Sequence, residues 1–256
     1  MLFFQRWFAR NAPQPAVTAS GRRVVYIGDS ITDGNWGKAD GKPSSQRNLW
    51  DRNHLFGSGY MYLCASYYQG YFPDRDYRFF NRGVGAHALG DLAARWQEDV
   101  IDLRPDVLSV FVGTNDAERH LGRLLRADDP KTVPDFDFAD WERTYRGLLD
   151  RARQANPALK IVLCTPFAAP CGKIVEGALG EYYPLRQRIL AQCCVIVERI
   201  AADYGATLVP FHRLIADLET RLPNGDATYW VWDGIHPTPA GQRLMADCWI
   251  GAAARN

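Results

Sequence analysis

The amino-acid sequence predicts an α/β fold in which a parallel β-sheet is covered by helices on both faces. The candidate strands are short, continuous apolar runs, as expected for strands that are buried on both sides. Segments with helical spacing of apolar residues separate these runs, which indicates repeated βαβ units. Together these observations predict a three-layer α/β/α sandwich with about five parallel strands.

In the first half of the chain, predicted strands alternate with predicted helices. An apolar run at residues 22–27 predicts the first strand, and helical spacing follows at residues 59–71. The second strand is predicted at 77–81, a helix at 88–103 and the third strand at 107–112. The helix at 88–103 carries an apolar stripe that predicts a buried face and a charged stripe that predicts an exposed face. The apolar stripe is Leu92, Trp96 and Val100, and the charged stripe is Arg95, Glu98 and Asp99.

The same alternation continues in the second half of the chain. A helix is predicted at 139–156, where an Asn-Pro pair ends it, and the fourth strand at 160–165. The next helix is predicted at 183–204, before a glycine, and the fifth strand at 207–210. A last helix is expected after Thr238-Pro239, because threonine can cap a helix and proline fits its first turn.

Two polar segments, residues 35–53 and 121–138, are longer than ordinary connections between elements. Long insertions in compact α/β domains usually shape binding sites. No linker or internal repeat divides the chain, which predicts one domain over residues 21–256 after an N-terminal arm at 1–20. The apolar start of this arm is interrupted by polar and basic residues. We therefore interpret it as a docking arm or frayed end, with a signal peptide as the alternative.

The composition argues against several classes of partner. Hydrophobic residues make up 47% of the 256 residues, which is enough for a sizeable core. The net charge is +1, from 30 basic and 29 acidic residues, so no strong field attracts nucleic acid or an anionic membrane. No apolar run approaches the roughly 20 residues that span a bilayer. We therefore expect a small-molecule or oligosaccharide ligand, with neither a nucleic acid nor a membrane as partner.

The six cysteines indicate neither a disulfide framework nor a metal site. They form no Cys-x-x-Cys pair, and no histidine lies at the spacing of a zinc ligand. Cys193 and Cys194 fall within a helical pattern and are typical of reduced core residues. We expect a cytoplasmic protein without metal or cofactor, with secretion as the alternative.

Gly28-Asp29-Ser30 follows the first apolar run and places a serine hydroxyl at the carboxyl end of a strand. Open α/β sheets bind their ligands at this edge. Serine becomes an effective nucleophile when a neighbouring base takes its proton, and His236 is the candidate base. Asp233, on the other side of a glycine-containing turn, is the candidate carboxylate that orients the imidazole and stabilises the imidazolium.

Two further predicted strands end in small and polar residues that could stabilise an oxyanion. One is followed by Gly113-Thr114-Asn115-Asp116, and the other leads into residues 81–87. Acyl transfer requires donors that point at the developing negative charge. The side-chain amide of Asn115 and the backbone N–H groups of Ser30 and of the residue after Gly85 are candidates. The alternative for Asn115 is a turn residue that bonds its own backbone.

Four segments resemble, in the same order, the consensus blocks of the SGNH (GDSL) hydrolase family. The segments are Gly28-Asp29-Ser30, residues 81–86, Gly113-Thr114-Asn115-Asp116 and Asp233-x-x-His236. The resemblance implies a flavodoxin-like α/β/α fold with Ser30 as nucleophile, His236 as base and Asp233 as orienting acid. It also implies an oxyanion hole formed by the Ser30 N–H, the Ala86 N–H and the side chain of Asn115.

The resemblance extends over residues 22–249 and departs from the family pattern at Ala86. The family usually has a glycine at this position, five residues after the asparagine that corresponds to Asn81. Alanine supplies the same N–H if its φ is negative. At positive φ it is strained, or the loop shifts so that Gly85 becomes the donor. We assign the donor to Ala86.

Candidate substrate-binding residues flank these motifs. Trp232 directly precedes Asp233, and Trp230 lies on the same side of an alternating segment, so either ring could contact a sugar or an acyl group. Packing in the core is the alternative for both. Asp29 is a further candidate, with bracing of the loop as its alternative role. For His54 and His87 we expect surface or core positions rather than roles in a pocket.

Within the family, the sequence resembles the branch that contains intracellular carbohydrate acetylesterases, including enzymes that deacetylate xylo-oligosaccharides. The resemblance implies a serine esterase that hydrolyses short-chain acyl esters, above all acetyl esters of sugars, through an acyl-enzyme. Both insertions are charged, and no lid pattern rich in Leu, Ile or Phe favours a lipase. A short-chain lipase or thioesterase, an acyltransferase and a non-catalytic carbohydrate-binding relative are the alternatives. The aromatic N-terminal arm and the tyrosines of residues 60–71 leave homo-oligomerisation open.

Overall fold

The computed structural model describes residues 23–34 and 56–253, which form a parallel β-sheet covered by helices. The strands are β1 (Arg23–Gly28), β2 (Arg78–Gly83), β3 (Val107–Phe111), β4 (Lys160–Cys164) and β5 (Thr207–Val209). They lie side by side in the order β2-β1-β3-β4-β5, and every neighbouring pair is parallel. This is the flavodoxin-like strand order. The predicted α/β/α fold with five parallel strands is confirmed.

Helices follow the strands in chain order. The α-helices of the described residues are α1 (Ser30–Asp33), α2 (Tyr60–Tyr71), α3 (Leu89–Ala94), α4 (Thr114–Arg126), α5 (Phe138–Ala155), α6 (Gly177–Glu181), α7 (Tyr183–Asp203), α8 (Phe211–Glu219) and α9 (Pro239–Ala253). A π-helical turn, Gln97–Ile101, follows α3. Short 3-10 helices lie at Pro73–Arg75, Pro130–Thr132, Gly172–Val175 and Pro223–Gly225. Among residues 23–34 and 56–253, no helix has the length and apolar character that crossing a membrane requires.

Each face of the sheet has its own apolar core. Helices α2, α8 and α9 cover one face, where Tyr26 of β1 packs against Tyr60 and Trp249. Helices α3, α4, α5 and α7 cover the other face, where Val25 and Ile27 of the same strand are buried. Successive residues of β1 therefore point into opposite cores, as the pleat of a strand requires. Burial on both faces explains why these strands read as continuous apolar runs in the sequence.

Four helices of the described chain were not predicted, namely the short α1 and α6 and the longer α4 and α8. Helix α4 begins directly after β3 and includes the first six residues of the segment at 121–138 that was expected to be an insertion. It buries Ala117, Leu121 and Leu124 at helical spacing, but Gly122 and several charged residues obscure the pattern in the sequence. Helix α8 follows the short strand β5 and buries Phe211, Ile215 and Leu218. The insertion predicted at 35–53 and the N-terminal arm lie outside the described residues.

The segment after α3 confirms one predicted stripe and corrects the other. Leu92, Trp96 and Val100 are fully buried, as expected. Asp99, however, is also fully buried, and only 13% of the Arg95 side chain is exposed. The expectation that these two residues lie on the solvent face was wrong. The reason is electrostatic, because Asp99 pairs with both Arg95 and the buried Arg82, so that the charges compensate one another inside the protein.

Glycines at the ends of β1 and β2 allow α1 to approach the sheet closely. A Cβ atom on Gly28 would lie 2.4 Å from the Thr32 Oγ1 and 2.5 Å from the Phe111 carbonyl oxygen. A Cβ atom on Gly83 would lie 2.1 Å from the Asp33 nitrogen. Side chains at either position would displace α1 from the strand ends. The two glycines therefore fix the position of the short helix that begins with Ser30.

Candidate active site

Ser30 is the first residue of α1 and lies at the carboxyl edge of the sheet. Asp29 precedes it in an extended conformation and caps the helix, because its Oδ1 accepts a hydrogen bond of 3.0 Å from the Ile31 N–H. Gly34 ends the helix after one turn in the left-handed conformation, with φ 59°. The caps at the two ends of α1 hold the Ser30 backbone in a defined orientation at the end of β1.

Asn81 attaches α1 to the end of β2. Its Nδ2 donates hydrogen bonds to the carbonyl oxygens of Thr32 and Asp33, at 3.0 and 3.2 Å, and also to that of Phe56 at 3.0 Å. Its Oδ1 accepts from the Gly83 N–H at 2.8 Å. The side chain is fully buried. Asn81 therefore satisfies carbonyl groups at the end of a single-turn helix that would otherwise lack intrahelical donors.

Asp233 and His236 lie on a tight turn between two antiparallel segments. The Trp232 N–H donates to the His236 carbonyl oxygen at 3.0 Å. Gly234 has a φ of 89°, and a Cβ atom there would lie 2.3 Å from the Ile174 Cγ1. The Asp233 Oδ1 accepts hydrogen bonds from the N–H groups of Ile235 and His236, at 3.0 and 2.7 Å. The turn thus fixes the carboxylate before it contacts the imidazole.

Ser30, His236 and Asp233 form one chain of hydrogen bonds. The Ser30 Oγ lies 2.8 Å from the His236 Nε2, and the His236 Nδ1 lies 2.8 Å from the Asp233 Oδ2. Because an ionised carboxylate only accepts hydrogen bonds, the Nδ1 carries the proton and the Nε2 is free to accept that of the serine. Burial raises the pKa of Asp233, but hydrogen bonds from His236 and Ile235 outweigh this effect and lower it overall. The three residues predicted from distant parts of the sequence thus lie together.

The segment after β2 forms a turn that faces Ser30. The His87 N–H donates to the Val84 carbonyl oxygen at 3.3 Å, and Ala86 has a φ of 64°. A Cβ atom built on Gly85 would lie 3.9 Å from the Ser30 Cβ. Within the described residues, the N–H groups of Ser30, Gly85 and Ala86 donate to no protein acceptor. We call residues 84–87 the oxyanion turn.

An unstrained alanine at this position was expected to have a negative φ, but the φ of Ala86 is positive. The left-handed conformation costs an alanine on the order of 1 kcal/mol relative to glycine. Contacts from α4 support the turn in spite of this strain. The Arg119 side chain donates to the Ala86 carbonyl oxygen at 2.8 Å, and the Asn115 Nδ2 donates to that of His87 at 3.1 Å. Asn115 therefore bonds the neighbouring turn, and its second amide hydrogen is left for another acceptor.

The half-buried guanidinium of Arg95 connects the oxyanion turn to the strand ends. The sequence did not indicate this role. Arg95 donates to the carbonyl oxygens of Gly28 and Arg82, at 3.0 and 2.7 Å. It also donates to the His87 Nδ1 at 3.1 Å and to the Asp99 carboxylate at 2.6 Å. Arg95 thus links the residue that follows Ala86 to the end of the strand that precedes Ser30. We expect it to set the distance between the two.

The candidate substrate-binding residues occupy different environments. Trp232 is 58% exposed, and its ring stacks beside that of His236, with centroids 6.2 Å apart and planes 24° apart. Trp230 is half-buried against the core, and its Nε1 donates to the Arg221 carbonyl oxygen. Asp29 is 1% exposed and caps α1, so its carboxylate faces the protein interior. Of these three residues, Trp232 alone presents a broad exposed surface beside the imidazole.

Other residues considered as candidates have structural contacts or lie outside the described chain. Asp116 accepts hydrogen bonds from the Leu89 N–H and so holds the start of α3, while burial raises its pKa to about 6. His87 contacts Arg95, and His54 lies outside the described residues. Five of the six cysteines are buried. Among residues 23–34 and 56–253, no cluster of three or more His, Cys, Asp or Glu residues could hold a metal ion.

The burial of Asp29 should make the free energy of unfolding depend on pH. Loss of solvation raises the pKa of its carboxyl group to about 7, whereas unfolded aspartate titrates near 4. The native state then binds more protons than the unfolded state between these values, so its free energy of unfolding falls as pH rises from about 4 to 7. Asn in place of Asp29 keeps a cap acceptor without the charge. We expect the Asp29→Asn variant to gain stability relative to the wild type over this range, as measured by urea unfolding at several pH values.

The gain should level off above pH 7, because the native carboxyl is then ionised. A difference in unfolding free energy that does not change between pH 4 and 8 would contradict the assignment. Asp226→Asn provides a control, because Asp226 is exposed and its pKa is lowered by hydrogen bonds from Thr228.

Comparisons with known proteins agree with this arrangement. Residues 26–244 match the family model described as the GDSL-like lipase/acylhydrolase family. The acetylxylan esterase of Geobacillus stearothermophilus is 30% identical over 234 residues, which cover 90% of this chain and 93% of the esterase. A solved structure of an acetylxylan esterase from that organism superposes with a TM-score of 0.70 at 27% identity, covering 91% of this chain and 94% of the esterase. A Parabacteroides merdae protein described as a GDSL-like lipase superposes with a TM-score of 0.74 at 25% identity, covering 96% and 99%.

Variant structures of that acetylxylan esterase carry substitutions of a serine, an aspartate and a histidine that are described as catalytic. The aspartate and the histidine are three positions apart, like Asp233 and His236 here. In another variant, the substituted residue is a tryptophan directly before that aspartate, and Trp232 has the same place in this chain. Because its fold, its motifs and the similarity along most of its length agree, the chain belongs to the GDSL-like lipase/acylhydrolase family.

Proposed function

We propose that this acylhydrolase is a serine esterase that removes short acyl groups, above all acetyl groups, from sugars. The observation that carries the proposal is the chain of hydrogen bonds from Ser30 through His236 to Asp233. No metal or cofactor is needed for this chemistry, because the imidazole supplies the base and the backbone supplies the oxyanion donors.

In the acylation half of the reaction, the Ser30 Oγ attacks the ester carbonyl carbon while the His236 Nε2 takes its proton. The negative charge moves to the carbonyl oxygen, where the N–H groups of Ser30 and of the oxyanion turn, with the Asn115 amide, donate hydrogen bonds. When the tetrahedral intermediate collapses, the bond to the leaving alcohol breaks and His236 returns the proton to the alkoxide. The acyl group is then esterified to Ser30, and the sugar leaves with a free hydroxyl.

In the deacylation half, His236 takes a proton from water, and the hydroxide attacks the acyl-enzyme carbonyl. Collapse of the second intermediate breaks the bond to the Ser30 Oγ, which regains its proton from His236, and the free acid departs. Asp233 remains ionised throughout and stabilises the imidazolium, consistent with the lowered pKa of its carboxyl group. The same steps with a sugar hydroxyl in place of water would give an acyltransferase.

Two observations favour a sugar ester as substrate. The exposed ring of Trp232 stands beside the imidazole, where it can contact the apolar face of a sugar in the leaving group. The relatives that match along most of the chain include an acetylxylan esterase, one variant of which is described as an acetyl-xylooligosaccharide esterase. A short-chain lipase or thioesterase is the second candidate, because a solved relative is described as a GDSL-like lipase.

The substrate class and the nucleophile can be tested together. We expect the wild type to release acetate from acetylated xylo-oligosaccharides and to hydrolyse p-nitrophenyl acetate faster than the butyryl and octanoyl esters. Ser30→Ala should remove nearly all of this turnover, because the residual catalysis then comes from the oxyanion donors and binding alone. Ser66→Ala is a matched control, since Ser66 is an exposed serine on α2 that bonds the Leu63 carbonyl oxygen.

Turnover by Ser30→Ala at the wild-type rate would exclude Ser30 as the nucleophile. A steep rise in rate with acyl chain length would instead favour the lipase or thioesterase alternative.

The contacts of Arg95 predict a role in positioning the oxyanion turn. Lysine retains the positive charge but lacks the planar fork that reaches four acceptors at once. We expect Arg95→Lys to lower the kcat for p-nitrophenyl acetate by about 10–100-fold, since small misplacements of a catalytic group cost this much. The KM should change little, because the oxyanion donors act mainly in the transition state.

Arg243→Lys is the control, because Arg243 forms an exposed pair with Asp247 at the same sequence spacing as Arg95 and Asp99. If Arg95→Lys folds and retains the wild-type kcat, the guanidinium does not position the turn.

A further inference from the structure

A groove of about 600 Å³ lies between α3, α4 and the start of α5. Its size is within the range of about 300–1,000 Å³ that is usual for small-ligand sites. The walls include Gly90 of α3 and the arginines Arg119 and Arg123 of α4. They also include Phe136, which precedes α5, and Asp140 in the first turn of α5. We call it the α4 groove. Part of its wall comes from residues 121–138, which the sequence predicted to be a long insertion of the kind that shapes binding sites.

The α4 groove is continuous with the oxyanion turn. Ala88 and Leu89, which follow the turn directly, form part of its wall. Arg119 crosses between the two, since its side chain donates to the Ala86 carbonyl oxygen at 2.8 Å and pairs with Asp91 at 2.5 Å. At Gly85, the oxyanion turn lies close to Ser30. A ligand whose ester lies at Ser30 can therefore extend past the turn into the groove.

The chemistry of the α4 groove fits a neutral ligand with many hydroxyl groups. Its charged side chains are balanced, so neither an anion nor a cation is attracted by a net field. They are the arginines Arg119, Arg123 and Arg126 and the aspartates Asp116, Asp137 and Asp140. Guanidinium groups only donate hydrogen bonds and ionised carboxylates only accept them, whereas a sugar hydroxyl does both. The half-buried ring of Phe136 adds an apolar surface.

Gly90 leaves the groove open, and Gly122 affects how Arg126 of its wall is placed. Gly90 is exposed in α3, and a Cβ atom there would meet no other atom within 4 Å. Gly122 lies inside α4, where a Cβ atom would lie 3.2 Å from the Arg126 guanidinium, so glycine lets this group lie along the helix. A glycine inside a helix costs about 1 kcal/mol relative to alanine. Neither position is explained by the packing of the core.

We propose that the α4 groove binds the sugar chain of the ester substrate on the far side of the oxyanion turn from His236. The proposal rests on the proposed function and makes it more specific, because it predicts a preference for oligosaccharides over single sugars. The sugar that carries the acetyl group lies at Ser30, and the next sugars of the chain occupy the groove. An acyl chain would be a poor occupant, because the charged groups of the groove would lose water without gaining hydrogen bonds.

Filling the groove from Gly90 tests the proposal. In Gly90→Trp the indole extends into open space, so the substitution removes ligand volume without a clash in the fold. The steady-state constants of the wild type and the variant are compared for acetylated xylotetraose, acetylated xylose and p-nitrophenyl acetate. We expect kcat/KM for acetylated xylotetraose, relative to that for p-nitrophenyl acetate, to fall by about tenfold or more, mainly through KM. The ratio for acetylated xylose should fall much less.

Two further variants complete the design. Gly147→Trp is the matched control, because Gly147 is also an exposed helical glycine with no atom within 4 Å of an added Cβ, but it does not line the groove. We expect it to change neither ratio. Arg123→Ala removes an exposed donor of the groove without filling it and should raise the KM for acetylated xylotetraose several-fold.

The outcomes separate the two proposals. If the wild type deacetylates xylotetraose and neither Gly90→Trp nor Arg123→Ala alters its relative kcat/KM, the groove proposal is wrong and the proposed function stands. If Gly90→Trp selectively impairs octanoyl esters instead, the groove holds an acyl chain and the proposal is also overturned. If the wild type hydrolyses p-nitrophenyl acetate but releases no acetate from any acetylated sugar, the proposed substrate class fails and the groove proposal fails with it.

Discussion

The hydrogen bond between the Ser30 Oγ and the His236 Nε2 is the contact on which the rest of the site depends. It joins residues 206 positions apart in the chain across 2.8 Å. No local motif can hold such a contact, so the packing of the C-terminal segment on the sheet must do so. The Gln242 side chain of α9 accepts from the Tyr60 N–H of α2 at 2.7 Å, and the Trp249 indole donates to Ser109 of β3 at 3.0 Å. Helix α9 is thereby fixed beside α2 and the strand next to β1.

The carboxyl edge of the sheet imposes the second constraint, which is steric. Because Gly28 and Gly83 have no side chains, α1 can lie directly on the ends of β1 and β2. Arg95 then donates hydrogen bonds to His87 of the oxyanion turn and to the ends of both strands. These contacts show how a strained residue such as Ala86 is tolerated. The surrounding hydrogen bonds, including that from Arg119 to its carbonyl oxygen, hold the turn in place.

The sequence predicted the parts of the fold and site that leave a local signal. The strands were recognisable because burial on both faces produces uninterrupted apolar runs, and their predicted limits differ from those observed by only one or two residues. Ser30, Asn115, Asp233 and His236 were identifiable because each belongs to a short motif. The proximity of Ser30 and Asn115 followed from parallel topology, which places the ends of β1 and β3 at one edge. Asp233 and His236 follow no strand of the sheet, and only tertiary packing brings them to that edge.

Features that depend on tertiary contacts were not predictable in the same way. Charged Arg95 and Asp99 were expected on a solvent face, because nothing in the local sequence indicates that Asp99 pairs with both Arg95 and Arg82 in the interior. The hydrogen bonds of the Asn81 side chain go to the carbonyl oxygens of Thr32 and Asp33 in α1, which are 49 and 48 positions earlier in the chain. Trp230 and Trp232 are two residues apart, yet one bonds a backbone carbonyl while the other stays exposed beside His236. The α4 groove arises only where three helices meet.

The central claim is that His236 activates the Ser30 hydroxyl, and covalent labelling with a fluorophosphonate ester tests it most directly. Such a reagent is attacked by an activated serine and remains attached to it, so that mass spectrometry of peptides identifies the residue. We expect one adduct at Ser30 in the wild type, with a labelling rate that falls at least about 100-fold in His236→Ala because the base is lost. An adduct at another residue, or an unchanged rate of labelling in His236→Ala, would contradict the account.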